Sequence, residues 1–144
     1  MGQPTWREIR KLKVPDEVSN AWTPALDFVT AGKLYRISVA STQKWKPEAS
    51  ENECNADGDI TLTRSSEAIL NSSAIGALIG KIGGSTADFK PDANKVILFG
   101  VGRHCVFSVA DPAKAGPLYL GMNDTPNSQS KVTKLLDVVI EESL

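Results

Sequence analysis

The sequence predicts an all-β protein, a β-sandwich or jelly roll, and three features lead to this prediction. Apolar residues occur mainly in short runs that are separated by Gly, Pro, Asn and Asp. Those four residues favour turns, and many short strands between turns are typical of sandwiches. Only the segment 65–71 has the composition of a short helix, with a serine available as N-cap. At 144 residues, 41% of them hydrophobic, the chain is long enough for one domain with its own core.

The first strands are predicted from alternation, turn signals and glycine-bounded apolar runs. Residues 34–39 alternate apolar and polar side chains after an Ala-Gly turn, which predicts a half-buried strand. Residues 60–63 follow an Asp-Gly dipeptide, which favours a tight turn before a strand. The runs 76–83 and 116–124 are apolar and edged by glycines. Each therefore predicts a buried strand that another backbone or a ligand approaches closely.

Three more strands complete the prediction. Residues 96–99 and 105–110 could form a hairpin around the glycines between them, and 132–140 carries apolar residues on one parity at the end of the chain. We divide the chain into 1–21, an N-terminal extension or first strand, and 22–144, the sandwich domain. The predicted core includes Leu78, Ile79, Ile82, Leu118, Leu120, Val138 and Ile140.

The net charge and the lengths of the apolar runs restrict the classes of partner that we expect for this chain. A formal charge of −1 argues against a nucleic-acid binder held by bulk electrostatics. No apolar run approaches the ~20 residues that span a bilayer, and the N-terminus has no signal-peptide core. We therefore expect a soluble chain without a membrane span, whose compartment the sequence does not assign.

The reactive side chains are few, and we expect a binding module that is not an enzyme. His104 is the only histidine, so Ser-His-Asp or Cys-His catalysis would have to use it, and no nucleophile motif accompanies it. Cys54 and Cys105 could form a disulfide, but two cysteines without a spacing pattern favour separate thiols. One histidine and two distant cysteines also do not make a closed zinc site.

Several motifs occur in an order that is familiar from one protein family. They are Ala31-Gly32-Lys33, Thr42-Gln43-Lys44-Trp45, Cys54-Asn55-Ala56-Asp57-Gly58 and the glycine-bounded runs 76–83 and 116–124. From about Trp22 to Ile140 the chain thereby resembles the LecA-like (PA-IL-like) galactophilic lectins. The resemblance implies a bacterial β-sandwich of galactose-binding-like topology that forms oligomers and binds galactosides through calcium.

The chain departs from the family pattern in the loop after 116–124. Asp124 matches the family's calcium-binding carboxylate, and Ser128 matches a position that offers a backbone carbonyl. Lys131 and Val132 stand where the family has a calcium-binding asparagine pair, and neither offers a side-chain oxygen. Calcium needs six to eight oxygens. We therefore predict that the chain has no cofactor and that family-type calcium binding is lost.

Five residues are the candidates for a carbohydrate site: Asp124, Thr125, Gln43, Trp45 and Asp57. Asp124 could accept hydrogen bonds from sugar hydroxyls, or it could cap the turn at Thr125. Trp45 could stack on a sugar ring as an exposed platform, or it could pack in the core. Asp57 lies in the segment that matches the family's sugar-facing loop, and with the next glycine it could also form an ordinary tight turn.

Two functions from different classes remain open. The first is carbohydrate recognition, of the galactoside class, around Asp124 and the Gln43–Trp45 segment. The second is a non-enzymatic protein-interaction or assembly module that kept a lectin scaffold after its sugar site was lost. The replacement at Lys131 and Val132 favours the second for metal-dependent binding. We also expect a homo-oligomer, since the apolar strand 132–140 could pair edge to edge if it is exposed.

Overall fold

In the computed structural model, the described residues are 5–16, 22–47, 52–61, 68–86, 94–124 and 134–144. They contain eight strands and one short 3-10 turn. The strands are β1 (Trp6–Pro15), β2 (Thr23–Leu26), β3 (Tyr35–Ser38), β4 (Leu78–Ile82), β5 (Ile97–Gly100), β6 (His104–Phe107), β7 (Leu118–Met122) and β8 (Leu135–Ser143). The 3-10 turn, Pro112–Lys114, lies between β6 and β7. No helix within these ranges has the length and apolar character needed to cross a membrane.

The strands form two antiparallel sheets of four strands each. The first sheet has the order β1-β8-β3-β6, and the second has the order β2-β7-β4-β5. This arrangement confirms the predicted all-β sandwich. Residues Trp6–Pro15 form β1, which pairs with β8 from one end to the other.

The core lies between the sheets and follows the alternation in the sequence. On β8 the side chains of Leu136, Val138 and Ile140 are buried, whereas Leu135 and Asp137 are exposed. All seven residues that were predicted for the core are at most 2% exposed. The alternation correctly indicates the core because successive strand residues point to opposite faces of a sheet.

Two local predictions, the strand 60–63 and the helix 65–71, differ from the structure. Ile60 and Thr61 lie in a turn and not in a strand, and the rest of the predicted strand 60–63 falls outside the described residues. Residues 68–70 form bends, and the first part of the predicted helix 65–71 is also outside the described residues. The turn at Ile60 and Thr61 forms because the carboxylate of Asp59 accepts hydrogen bonds from the backbone amide and the hydroxyl of Thr61. These local hydrogen bonds compete with the pairing of this segment as a strand.

The predicted hairpin of β5 and β6 is wrong. β5 is an edge of the second sheet and β6 is an edge of the first, so residues 101–103 cross between the sheets. The amides of Val101 and Gly102 both donate to the carbonyl of Leu78 on β4 at 3.0 Å, which holds the start of the connection on the second sheet. The carbonyl of Arg103 then accepts the amide of Val39, directly after β3 of the first sheet, at 2.8 Å. Gly102 has a φ of +65°, which suits glycine in such a turn.

The last strand, predicted over 132–140, is observed as β8, and residues 132–133 lie outside the described part. β8 lies between β1 and β3, so both of its edges are occupied. The expected edge-to-edge pairing of this strand between copies is therefore wrong as a route to assembly.

The sandwich has one end at which the candidate residues collect. β7 ends at this end of the sandwich and β4 begins there, because these neighbouring strands are antiparallel. β3 and β5 also end there. We call this the loop end, and among the described residues it comprises 39–47, 52–61, 68–77, 101–103 and 123–124.

Candidate functional site

An open pocket of about 340 Å³ lies at the loop end. We call it the loop-end pocket, and it is formed by the segment 53–60 together with Lys44. Its lining residues are Lys44, Glu53, Cys54, Asn55, Asp57, Gly58, Asp59 and Ile60. The lining is mixed, with charged, amide and apolar side chains around one opening.

The segment that forms the pocket is hydrogen-bonded to the core at both ends. Cys54 and Trp45 exchange two backbone hydrogen bonds of 2.9 Å, and the amide of Asp59 donates to the carbonyl of Ile75 at 2.8 Å. At Gly58 a Cβ would stand 2.8 Å from the backbone nitrogen of Ala77, and φ is +88°. Only glycine fits this contact, so the pocket wall has a defined shape.

Asp57 and Arg103 form an ion pair beside the pocket. The Arg103 backbone amide donates to one carboxylate oxygen of Asp57 at 2.9 Å, and its Nε donates to the other at 2.6 Å. Both side chains are nearly half exposed. Gly102 makes the approach possible, because a Cβ there would meet Asp57 Oδ1 at 2.6 Å. The pair thus holds the pocket segment against the β5–β6 connection while it faces solvent.

Asp59 and Ile60 have opposite environments in the same turn. Asp59 is 7% exposed, and its Oδ1 accepts hydrogen bonds from Thr61. Ile60 is 84% exposed at the edge of the pocket. An apolar side chain this exposed beside polar groups offers a contact surface to a ligand that has both polar and apolar faces.

Cys54 lines the pocket with a thiol that stays protonated. Burial and the negative charges of Asp59 and Asp124 raise the pKa of Cys54 to about 12. Since the thiolate is the nucleophilic form, this thiol is inert near neutral pH. Cys54 and Cys105 are both free thiols, so the two-thiol alternative is the one observed.

Asn123, directly after β7, holds the loop end together through its side-chain hydrogen bonds. It is fully buried, and its Oδ1 accepts a hydrogen bond from the amide of Leu70. Its Nδ2 donates to the carbonyls of Leu70, Ser73 and Ala74 at 2.9–3.1 Å. The sequence analysis passed over this residue, although its place directly after a buried strand is a position where a side chain often caps loop backbone.

Asp124 is at the loop end but not on its surface. It is 0% exposed, and its carbonyl accepts a hydrogen bond from the amide of Ile69 at 3.1 Å. Its negative charge contributes to the raised pKa of Cys54, after burial and the charge of Asp59. Asp124 is therefore near the predicted site without lining the pocket.

Trp45 is a core residue, so of the two alternatives for its side chain, core packing is the one observed. Its side chain is 0% exposed, and Nε1 donates to the carbonyl of Gly76 at 2.6 Å. A buried indole N–H needs an acceptor, and the loop 68–77 supplies one. The ring therefore supports the pocket segment from inside, in agreement with the core alternative.

Gln43 is half-buried and links two elements. Its Oε1 accepts a hydrogen bond from the amide of Asp137, at the start of β8, at 3.3 Å. Nearby, the buried carboxylate of Asp16 accepts hydrogen bonds from the amides of Lys46 and Lys134. Asp16 was not singled out from the sequence, yet it fixes the same segment as Gln43.

The remaining predicted residues lie outside the described part of the chain. They are Thr125, Ser128, Lys131 and Val132. Of the five carbohydrate candidates, the structure therefore brings Gln43, Trp45, Asp57 and Asp124 to one end of the sandwich, and only Asp57 lines the pocket. Arg103, which is not among the residues predicted from the sequence, pairs with Asp57 beside the pocket.

Of the four positions that match the calcium site of the resembled family, only Asp124 lies within the described residues. No group of three or more His, Cys, Asp or Glu side chains among them could hold a metal ion. Asp57 and Glu53 are half-exposed carboxylates of the pocket lining, and they pair with Arg103 and Lys134 respectively.

No protein-family model matches the chain, and no curated protein matches it.

Proposed function

We propose that the chain is a carbohydrate-binding module, of the galactoside class, that binds at the loop-end pocket without family-type calcium and without catalysis. The observation that carries this proposal is the half-exposed pair of Asp57 and Arg103 at the edge of an open pocket of mixed lining. The pair is held in place because both the backbone amide and the Nε of Arg103 donate to the carboxylate of Asp57.

The chemistry of the pocket suits sugar hydroxyls, which donate and accept hydrogen bonds. A carboxylate only accepts and a guanidinium only donates, so Asp57 and Arg103 together serve both roles. Hydrogen bonds to charged groups are the stronger ones. Asn55 adds an amide to the lining, and Ile60 offers an apolar surface to the C–H face of a pyranose.

Preformed geometry supports binding at this place. Ordering flexible side chains on association costs roughly 0.5–1.5 kcal/mol for each one. The ion pair and the hydrogen-bonded segment 53–60 are ordered before a ligand arrives, so less of this cost remains. Trp45 then acts as a positioning residue, since it is buried and exchanges two backbone hydrogen bonds with Cys54 of the pocket segment.

The test is a glycan array with and without calcium, followed by calorimetry of galactosides with three proteins. Asp57→Asn keeps the side-chain shape but removes the charge, and we expect it to weaken binding at least about tenfold, the loss of one charge-assisted hydrogen bond. Asp111→Asn is the matched control. It changes an exposed carboxylate that accepts a hydrogen bond from Ala113 in the 3-10 turn, away from the loop end. Its affinity should equal that of the unchanged protein.

The proposal fails if no glycan binds under either condition, or if Asp57→Asn binds as well as the control. The second candidate, a non-enzymatic protein-interaction or assembly module, is favoured by the burial of Trp45 and Asp124, because two predicted ligand residues serve the scaffold instead. An array without any bound glycan would support that candidate.

A further inference from the structure

A second pocket, of about 270 Å³, lies at the end of the sandwich opposite to the loop end. β4 ends and β5 begins at this pocket, whereas β4 begins and β5 ends at the loop end. We call it the sheet-end pocket. It is formed by residues 82–83 at the end of β4, residues 94–97 around the start of β5, and residues 111 and 113–115 in the connection from β6 to β7.

The wall formed by the connection from β6 to β7 is fixed at both of its ends. The carbonyls of Val109 and Gly116 accept backbone amides from the segment 29–32, at 2.8 and 2.7 Å. Between these two anchors lies the 3-10 turn, in which the amide of Lys114 donates to the carbonyl of Asp111 at 2.9 Å. The backbone that carries Lys114 is therefore in place before a ligand arrives, which lowers the cost of ordering on binding.

The apolar part of the lining lies around the end of β4 and the start of β5. Ile82 and Val96 are buried, and Ile97 is partly exposed. Directly after Ile82, the amide of Gly83 donates to the carbonyl of Pro117 at 2.9 Å, which fixes the end of β4 against the start of β7. A ligand in this pocket therefore meets an ordered apolar surface.

The charged part of the lining is positive. It consists of two lysines and one aspartate, Lys95, Lys114 and Asp111, so its formal charge is +1 in a chain of net charge −1. Both lysines are exposed, and the ion pairs among the described residues involve neither of them. The Oδ1 of Asp111 accepts a hydrogen bond from the amide of Ala113 at 2.9 Å, so this carboxylate is engaged by the 3-10 turn. An ammonium donates up to three hydrogen bonds and accepts none, so the two lysines suit an anionic ligand.

We propose that the sheet-end pocket binds a small organic monocarboxylate that has an apolar body. Lys95 and Lys114 donate hydrogen bonds to the carboxylate, and such charge-assisted hydrogen bonds are stronger than neutral ones. Ile82, Val96 and Ile97 contact the apolar body and remove it from water. A single negative charge matches the formal charge of the lining, whereas a phosphate dianion would exceed it and would leave the apolar lining without a partner. The volume is slightly below the roughly 300–1,000 Å³ of common ligand pockets, so the ligand is small.

An NMR titration of the isotope-labelled full chain with three ligands tests this proposal separately from galactoside binding. Hexanoate has one carboxylate and an apolar chain, hexanamide is its neutral counterpart, and inorganic phosphate is an anion without an apolar part. We expect saturable binding of hexanoate with a Kd below about 10 mM, which is within reach of a ligand of this size. The amide shifts should concentrate in residues 82–83, 94–97 and 111–115. Hexanamide and phosphate should each bind at least about tenfold more weakly, because one lacks the charge and the other lacks the apolar contact.

Three variants separate the two pocket lysines from the overall charge of the chain. Lys95→Gln and Lys114→Gln each remove one ammonium from the lining, and we expect each to weaken hexanoate binding at least about fivefold. Lys11→Gln is the matched control. It makes the same change of net charge at an exposed lysine of β1, a strand that contributes no residue to the pocket. Its affinity for hexanoate should equal that of the unchanged protein.

The proposal is overturned if hexanoate does not bind in this concentration range, or if hexanamide or phosphate binds as tightly as hexanoate. It is also overturned if the amide shifts fall mainly outside the three segments of the pocket, or if both pocket variants bind as tightly as Lys11→Gln. If a pocket variant does not fold, the comparison of the three ligands on the unchanged protein and the location of the shifts decide the outcome.

Discussion

At the scale of single residues, the burial of the Cys54 thiol shows how tightly the pocket segment packs on the loop behind it. Its sequence position in a polar loop indicates an exposed side chain, yet it is buried between the pocket and the loop 68–77. Its Sγ lies 3.9 Å from the carbonyl of Gly76, the same carbonyl that accepts the indole hydrogen bond of Trp45. The two residues are thus packed on one backbone group, and this contact fixes the inner wall of the pocket.

A pH-dependence of stability follows from this thiol. The unfolded thiol ionises near its ordinary pKa of 9.0, whereas burial and the charges of Asp59 and Asp124 raise the folded pKa to about 12. Between these values the unfolded state loses its proton first, so the free energy of unfolding falls as the pH rises above about 9. Urea melts from pH 7 to 11 should show a shallower decline for Cys54→Ala than for the unchanged protein. Equal declines in the two proteins would contradict the raised pKa.

At the scale of elements, the pocket segment depends on close backbone contacts. Residues 52–61 contain no regular strand, but they approach the start of β4 and the loop before it so closely that side chains are excluded at Gly58. A carbonyl of Ala56 also accepts the amide of Leu78 at 2.8 Å. The segment therefore behaves as part of the sheet end and not as a free loop.

The change Gly58→Ala tests this view. The added Cβ would meet the backbone of Ala77 and of Ile75 at 2.8 Å, and φ is +88°. We expect a loss of at least about 2 kcal/mol in the free energy of unfolding, from overpacking and an unfavourable φ. Gly116→Ala is the control, since its Cβ would come no closer than 3.7 Å to Gly83. It should change stability by less than about 0.5 kcal/mol. Chemical denaturation that finds the two variants equally stable would show that the segment is not held as described.

At the scale of the whole molecule, we expect that calcium does not stabilise the folded chain. The resemblance implies a calcium-dependent lectin, but Lys131 and Val132 stand where two ligands are expected. A ligand that binds only the folded state raises stability by RT ln(1 + [L]/Kd). We therefore expect no change in Tm on adding millimolar calcium to protein pretreated with chelator. A clear rise in Tm that is absent in Asp124→Asn would restore the calcium-dependent reading.

The alternation and turn signals of the sequence determine the all-β class, the core residues and most strand positions. These features are local, because a strand buries every second residue and a turn depends on a few neighbouring residues. The glycine-bounded runs also indicate correctly that β4 and β7 are buried and closely approached, since they are neighbours in one sheet. The Asp57-Gly58 dipeptide places Asp57 in a turn, but the sequence pattern does not indicate that Arg103 is its ion-pair partner.

Only the tertiary structure decides which residues meet at the loop end. Asp57 and Arg103 are 46 positions apart, and Trp45 meets Gly76 across 31 positions. Local periodicity carries no information about such pairs, because they depend on how the sheets stack and on the path of the connections between them. For the same reason the pattern cannot place β5 and β6 in different sheets, or show that β8 is an interior strand while β6 is an edge.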